Sequence, residues 1–385
     1  MPRALPWYFV LCLIPLSFQV FGENSSHKNA VEVAYVLTQG GVTGSSTYSL
    51  LTFNVDSNSG AVISEGSPLH LDAKNVNVSA SPDDHYLYVL ENDYLVEYIR
   101  VFATDSFGVP QSTPLQTVQV PGLTEFEVDP TGTFAFGNRS FEAIQMFSID
   151  PRTGFLSPSS NLVSSPFNPW GPGSNELMFF EGFNPNGSEL YHQWGEDAYD
   201  WYGVKYYRSS VDTSNGELGS PQEIFDWSNS GGEGDVASFT ARWMIVLPYN
   251  GYGPAIEVDV YTMDGSDNPL IACTSEMLLA CGESLSVYPD PAGHFLFLQT
   301  AAGLAEVARI DEVNKTIVDT GYRIAGSMKQ LSPDRRLAYA QIPDKKDPDV
   351  ISVYLFNPEN GYVRQGGSIQ LNTKIYALIT AVHRN

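Results

Sequence analysis

Two kinds of segment alternate along this chain, and their recurrence limits what it can fold into more than any other feature. The first is a turn containing Pro or Gly followed by an apolar and aromatic run: 81–89 (SPDDHYLYV), 129–136 (DPTGTFAF), 184–191 (NPNGSELY), 289–297 (PDPAGHFLF) and 332–339 (SPDRRLAY). A degenerate copy occupies 239–246. A turn flanked by strand formers is how a hairpin is written. The second kind is a strand, a turn rich in Asp, Asn and Gly, and another strand, as in 53–60 (FNVDSNSG), 102–108 (FATDSFG) and 147–154 (FSIDPRTG). It returns at 209–218, 261–270, 309–317 and 355–361. The strand residues before these turns stand at 53, 102, 147, about 207, 261, 309 and 355. Seven copies of a four-strand unit at roughly fifty-residue spacing predict an all-β, seven-bladed β-propeller with four-stranded blades.

The termini predict how the ring closes. The segment holding Val33, Tyr35 and Leu37 is a strand of the second kind with no first strand before it, and the segment from Ile375 to Ile379 is a strand with nothing after it. The C-terminal strand is therefore expected to pair with N-terminal strands and complete the last blade, which also removes free sheet edges. Residues 1–22 read as a signal peptide, with Arg3 as a short positive region and an apolar run from Trp7 to Val20. Residues 23–385 are then expected as one secreted or periplasmic propeller domain, a monomer. No later stretch approaches the ~20 apolar residues of a membrane-spanning helix.

Charge narrows the partners. The chain carries 44 Asp and Glu against 20 Lys and Arg, a net charge of -24. Nucleic acid is excluded as a partner by the lack of a basic face. Once residues 1–22 are removed, Cys273 and Cys281 are the remaining cysteines, and in an oxidising compartment they are expected to form a disulfide. Asn-x-Ser/Thr sequons occur at Asn24, Asn77, Asn138, Asn186 and Asn314, of which Asn24, Asn186 and Asn314 are the candidate glycan acceptors.

The hairpin at 81–89, the turn at 147–154 and the opening Tyr35-Val36-Leu37-Thr38-Gln39-Gly40 resemble the lactonase-like, 6-phosphogluconolactonase-type seven-bladed propellers. The resemblance covers nearly all of 23–385 and implies architecture rather than activity. Where those lactonases place a His six residues before the Pro of the second hairpin, this chain has Thr124. The family's Asp-x-Gly-x-Asp stretch falls on residues 139–143, which begin with Arg139. Its Gly-Pro-Arg-His matches Gly171-Pro172-Gly173-Ser174, with Arg and His lost. Two further segments keep only Asp235 and Gly251, while Glu196 is a shifted counterpart of a family acid. Losing His and Arg together removes the groups that polarise a carbonyl and move a proton.

No nucleophile elbow, His-Glu-x-x-His helix, phosphate loop or EF-hand is present, and no metal or cofactor is expected. The most suggestive stretch is 191–202 (YHQWGEDAYDWY), in the longest repeat interval. Rings beside carboxylates suit a polyhydroxylated ligand, because rings stack while carboxylates accept hydroxyl protons. The expectation is a non-catalytic binding propeller for a neutral or carbohydrate-like small molecule or glycan. Its candidate ligand-binding residues are Trp170, Trp194, Glu196, Asp197, Asp200, Trp201 and Tyr202. The alternative is a lactonase-type hydrolase of cyclic esters in which Arg139, His192 and Glu196 assume the catalytic roles.

Overall fold

The turn that opens each repeat is closed by its own first side chain. In the computed structural model, Ser81 Oγ accepts from the Tyr86 amide at 3.0 Å and donates to Asp83 Oδ1 at 2.6 Å. Ser332 does the same with the Leu337 amide and Asp334, both at 2.8 Å. Asp129 and Asn184 offer a side-chain oxygen in place of the hydroxyl, holding the Phe134 amide at 2.8 Å and the Glu189 amide at 3.0 Å. Ser, Asp and Asn recur at the head of the motif because each places an acceptor against its own backbone.

The structure describes residues 31–40, 47–71, 75–92, 96–139, 143–164, 176–196, 204–226, 236–247, 257–263, 269–274, 281, 284–342, 349–371 and 374–383. Blade I contains β1 (Val31–Gly40), β2 (Thr47–Asp56), β3 (Val62–Glu65) and β4 (Leu69–Leu71). Blade II contains β5 (Asn75–Ala80), β6 (Tyr86–Asn92), β7 (Glu97–Ala103) and β8 (Gln116–Gln119). Blade III contains β9 (Leu123–Val128), β10 (Phe134–Arg139), β11 (Ala143–Ile149) and β12 (Leu156–Ser164). Blade IV contains β13 (Glu176–Phe183), β14 (Glu189–Glu196), β15 (Val204–Ser210) and β16 (Gln222–Asp226). Blade V contains β17 (Val236–Phe239), β18 (Trp243–Leu247), β19 (Glu257–Thr262) and β20 (Ile271–Thr274). Blade VI contains β21 (Ser284–Pro289), β22 (Phe295–Thr300), β23 (Leu304–Asp311) and β24 (Thr316–Ala325). Blade VII contains β25 (Ser327–Leu331), β26 (Leu337–Ile342), β27 (Val350–Phe356) and β28 (Val363–Gln370), and the chain ends in β29 (Lys374–His383).

Each blade is an antiparallel sheet in chain order, except that β29 takes the innermost place of blade I, in the order β29-β1-β2-β3. Tyr35 stands opposite Ile379 and Leu37 opposite Ala377, so the closure expected from the termini is the one observed. The first strands form the inner ring: β25 touches β29, β29 touches β5, β5 touches β9, and β13 and β21 both touch β17.

The core is divided among the seams between blades. Leu87 and Val89 pack with Val33, Tyr35 and Leu37 of blade I, whereas Tyr88 and Leu90 from the same strand pack with Phe126 and Val128 of blade III. Blade VI behaves likewise, Leu296 and Leu298 facing blade V and Phe295 and Phe297 facing blade VII. Both faces of a second strand are buried, so these strands read as continuous apolar runs rather than alternating ones.

The turns fasten each blade to its neighbour. The fourth residue of the opening turn has positive φ, served by Gly132, Gly187 and Gly293 but by Asp84 (57°) and Arg335 (60°) in blades II and VII. Left-handed backbone costs a side-chain-bearing residue about 1–2 kcal/mol, and both exceptions reach across a seam. The Tyr35 hydroxyl donates to Asp84 at 2.6 Å and also lies 2.7 Å from the Gly108 carbonyl. Arg335 donates twice to the buried Asp290, at 2.6 and 2.7 Å. Gly154 (φ 69°), in the outer turn of blade III, lies so close to Tyr86 of blade II that a Cβ there would stand 2.4 Å from the ring.

Cys273 of β20 and Cys281 are disulfide-bonded, with Cα atoms 5.7 Å apart, tying the outer strand of blade V to the chain entering blade VI. Replacing both with Ala is expected to cost about 2–3 kcal/mol in the chain-entropy account, read as a lower urea midpoint; two free thiols in the non-reduced wild type contradict the bond. Gly154→Ala is expected to cost roughly 2–4 kcal/mol, combining backbone strain with overpacking. Gly303→Ala shares the positive φ but meets nothing within 4 Å, and is expected to lose only the backbone part. Equal losses in urea unfolding would show that the contact with Tyr86 contributes little.

Candidate functional site

The connections from second to third strands and from blade to blade share one end of the ring, opposite the capped turns. Trp170 belongs to the β12–β13 connection, and Asp197, Asp200, Trp201 and Tyr202 to the β14–β15 connection. All five lie outside the described residues. Trp194 is within β14, opposite Met178 and Lys205, and Glu196 is its last residue, opposite Glu176. Arg139 ends β10, opposite Leu123, so Arg139 and Glu196 close the second strands of adjacent blades.

His192 belongs to blade packing. It is buried, its Nε2 lies 3.1 Å from Ser209 Oγ, and its ring stacks on Tyr207 at 5.6 Å. Burial lowers its pKa to about 4, so the imidazole is neutral at pH 7.

Another set of chemistry-bearing residues lies on the innermost strands, where the sequence reading assigned no site. In β9, Phe126 and Val128 pack toward blade II, and strand alternation turns Glu125 and Glu127 toward blade IV. Glu127 is only 5% exposed and its buried Oε2 has no hydrogen-bond partner. It stands opposite Phe136, whose ring meets Phe183 of β13 at 5.3 Å. Burial first, then the negative charges of Glu125 and Asp129, push its pKa well above the usual carboxylate range.

Glu181 stands at the bulge of β13, where the register slips between Phe180 and Gly182. Lys329 stands at the corresponding bulge of β25, between Met328 and Gln330. Each lies four residues before the Pro of its turn, Pro185 and Pro333. A bulge leaves one residue outside the ladder and re-aims its side chain. On an innermost strand, the unpaired edge borders the axis of the ring, and Glu181 and Lys329 are both half-buried. Burial, then the negative charge of Glu125, raises the Glu181 pKa to about 8. Burial lowers that of Lys329, against the opposing pull of Asp349.

The wall between blades III and IV thus holds Glu127, shifted upward, and Glu181, which at a pKa of about 8 is largely protonated at pH 7 and able to donate as well as accept a hydrogen bond. Among the described residues, no three His, Cys, Asp or Glu side chains are placed to hold a metal ion. A signal for this wall was present in the repeat. Asn77 and Ser286 occupy the place of Glu125, and Ser79, Tyr288 and Gln330 that of Glu127. Ionisable residues replace neutral ones on a strand that has little water to face.

No family model matches the chain, and no curated protein matches it in sequence. Solved structures do share its fold. A proposed 6-phosphogluconolactonase of Bacteroides uniformis superposes with a TM-score of 0.60 at 16% identity, over 92% of this chain and 99% of its own. A second, from Bacteroides fragilis, gives 0.57 at 17%, over 93% and 100%. The periplasmic gluconolactonase of Pseudomonas aeruginosa gives 0.55 at 14%, over 91% and 99%. The chain therefore has the seven-bladed fold of the lactonase-like propellers, and at these identities the likeness is one of architecture. No helix among the described residues is long and apolar enough to cross a membrane.

The raised carboxyl pKa values make stability depend on pH with a definite sign. A group whose folded pKa exceeds its unfolded value contributes fully below the unfolded pKa and loses that contribution as pH rises through the folded one. For Glu181 the loss runs from about 4.5 to about 8. The turn aspartates Asp56, Asp212 and Asp311 are shifted downward by hydrogen bonds within their turns, so their contribution disappears only in strong acid. The melting temperature is expected to fall between pH 6 and pH 9, and Glu181→Gln to flatten that fall. A wild-type melting curve independent of pH over this range would contradict the assignment.

Proposed function

We propose that this protein is a secreted, monomeric, cofactor-free propeller that binds a neutral, hydroxyl-rich small molecule of the sugar-lactone class at the mouth of its channel. The observation that carries this reading is the bulged pair Glu181 and Lys329 on the innermost strands of blades IV and VII. A protonated Glu181 donates to a carbonyl or ring oxygen, Glu125 accepts from hydroxyls, and the Lys329 amine adds a further polar contact. The rim residues Trp170, Trp194, Glu196, Asp197, Asp200, Trp201 and Tyr202 complete the mouth by stacking on and hydrogen-bonding the ligand. The activities by which the fold neighbours are known, gluconolactonase and 6-phosphogluconolactonase, agree with this ligand class. The net charge of -24 favours the uncharged lactone over its phosphate. The apolar start of the chain and the buried disulfide support the secreted reading.

A second reading, hydrolysis, is favoured by the pKa of Glu181 beside Glu125. Water oxygen attacks the lactone carbonyl carbon while Glu125 takes its proton. Glu181 gives a proton to the ring oxygen as the C–O bond breaks, leaving the open hydroxy acid. Proton exchange with solvent restores both groups. Arg139 and Glu196 stand at the rim end of the same two blades, whereas His192 remains within the blade packing.

Calorimetric titration with gluconolactone is expected to show binding, with its phosphorylated counterpart weaker. Glu181→Gln and Lys329→Met should each weaken binding by at least about tenfold, equivalent to about 1.4 kcal/mol. Trp194→Ala and Trp201→Ala should lose about 1–3 kcal/mol each, with melting temperatures at pH 6 unchanged. Acid release above the buffer rate, lost in Glu181→Gln, identifies a hydrolase; binding without acid release identifies a carrier. Absence of binding to either lactone overturns the proposal.

A further inference from the structure

The fold sorts four of the five sequons by what surrounds each one, and Asn24 lies outside the described residues. Asn138 lies in the middle of blade III at 0% exposure, paired in register with Glu125 and Ile144. Asn77 lies on the innermost strand of blade II with its Oδ1 buried. The hydroxyl of the same sequon, Ser79 Oγ, is buried and accepts from the Val128 amide of the next blade at 3.1 Å. Neither asparagine has room for a sugar in the folded ring, since close-packed interiors do not accommodate even one additional residue-sized group.

Asn186 and Asn314 are placed differently. Asn186 is exposed in the opening turn of blade IV, where its Oδ1 accepts from the Ser188 amide at 3.1 Å and the Ser188 hydroxyl at 2.7 Å. The amide oxygen is thus occupied by the turn, while no acceptor among the described residues holds the Nδ2. Asn314 is exposed in the outer turn of blade VI, where its Nδ2 donates to Asp311 Oδ2 at 3.0 Å. A side-chain amide nitrogen carries two hydrogens, and glycosylation replaces one of them. The remaining N–H keeps the bond to Asp311, so the turn survives the modification.

Both turns lie at the end of the ring opposite the second-to-third-strand connections. We infer that, among the described residues, Asn186 and Asn314 are the N-glycan acceptors of the folded propeller, that Asn77 and Asn138 stay unmodified, and that glycans on these turns coat the capped-turn face while leaving the proposed ligand rim bare. The inference rests on the secreted reading only for its natural setting, because the sorting is a property of the fold.

The test is secretion of the full chain from yeast behind a host leader, followed by glycopeptide mass spectrometry of protein recovered from the medium. Glycan is expected on Asn186 and Asn314 and absent from Asn77 and Asn138. Asn186→Gln and Asn314→Gln should each remove one step of the gel shift that enzymatic deglycosylation abolishes. Glycan on Asn77 or Asn138 in folded protein, or bare Asn186 and Asn314, overturns the inference. Failure here with intact lactone binding leaves the proposed function standing, and the reverse result leaves the glycan assignment standing.

Discussion

A blade of this protein buries both of its faces, and the rest of the architecture follows from that. A sheet with two apolar faces cannot face water on either side, so each blade needs a neighbour on both flanks. An open row of such blades would end in two exposed faces; a ring has none. The pairing of β1 with β29 supplies the last connection, uniting residues 31–39 with residues 374–383 in one ladder. The seams then specify the turns. Gly154 must pass beneath Tyr86, and Asp84 and Arg335 accept left-handed backbone in positions that bring them to Tyr35 and Asp290 of the preceding blades.

The fold was legible because its determinants are local and repeated. Ser81, Asp129, Asn184 and Ser332 cap turns through contacts within five residues, and such contacts leave a direct trace in sequence. Closure was legible from the unmatched strands at the two ends. The channel wall was harder to read. Glu125 and Glu127 share β9 whereas Glu181 comes from β13, more than forty residues later, and a bulge moves Glu181 and Lys329 out of the alternation that sequence patterning assumes. His192 drew attention as a histidine in a suggestive stretch, yet its ring is engaged by Tyr207 and Ser209 across one strand pair.

The acidic composition separates into two populations with opposite behaviour. On the outer turns, Asp56, Asp212 and Asp311 accept hydrogen bonds from their own turn residues, which stabilises the ionised form. In the seams, burial dominates: Glu127 and Glu181 between blades III and IV, and Glu32 in blade I near Asp334, are all shifted upward. Net charge therefore describes the turns better than the channel wall. A carboxyl in the wall is a hydrogen-bonding group first and a charge second.

The same distinction matters where this chain lacks the residues that the lactonase resemblance assigns to its chemistry. Thr124 stands where those lactonases have a His, and the next residue, Glu125, acts electrostatically on Glu181 of the adjacent blade. Imidazole is useful there because it exchanges protons near neutral pH. A carboxyl raised to about 8 titrates close to the same range, and burial against a second carboxyl is the ordinary way to bring it there. The innermost strands hold their places in the ring by seam packing and turn capping. Residues on the channel wall can consequently change while the frame persists, and on the hydrolytic reading a paired-carboxyl wall performs the proton handling for which the lactonases it resembles employ histidine.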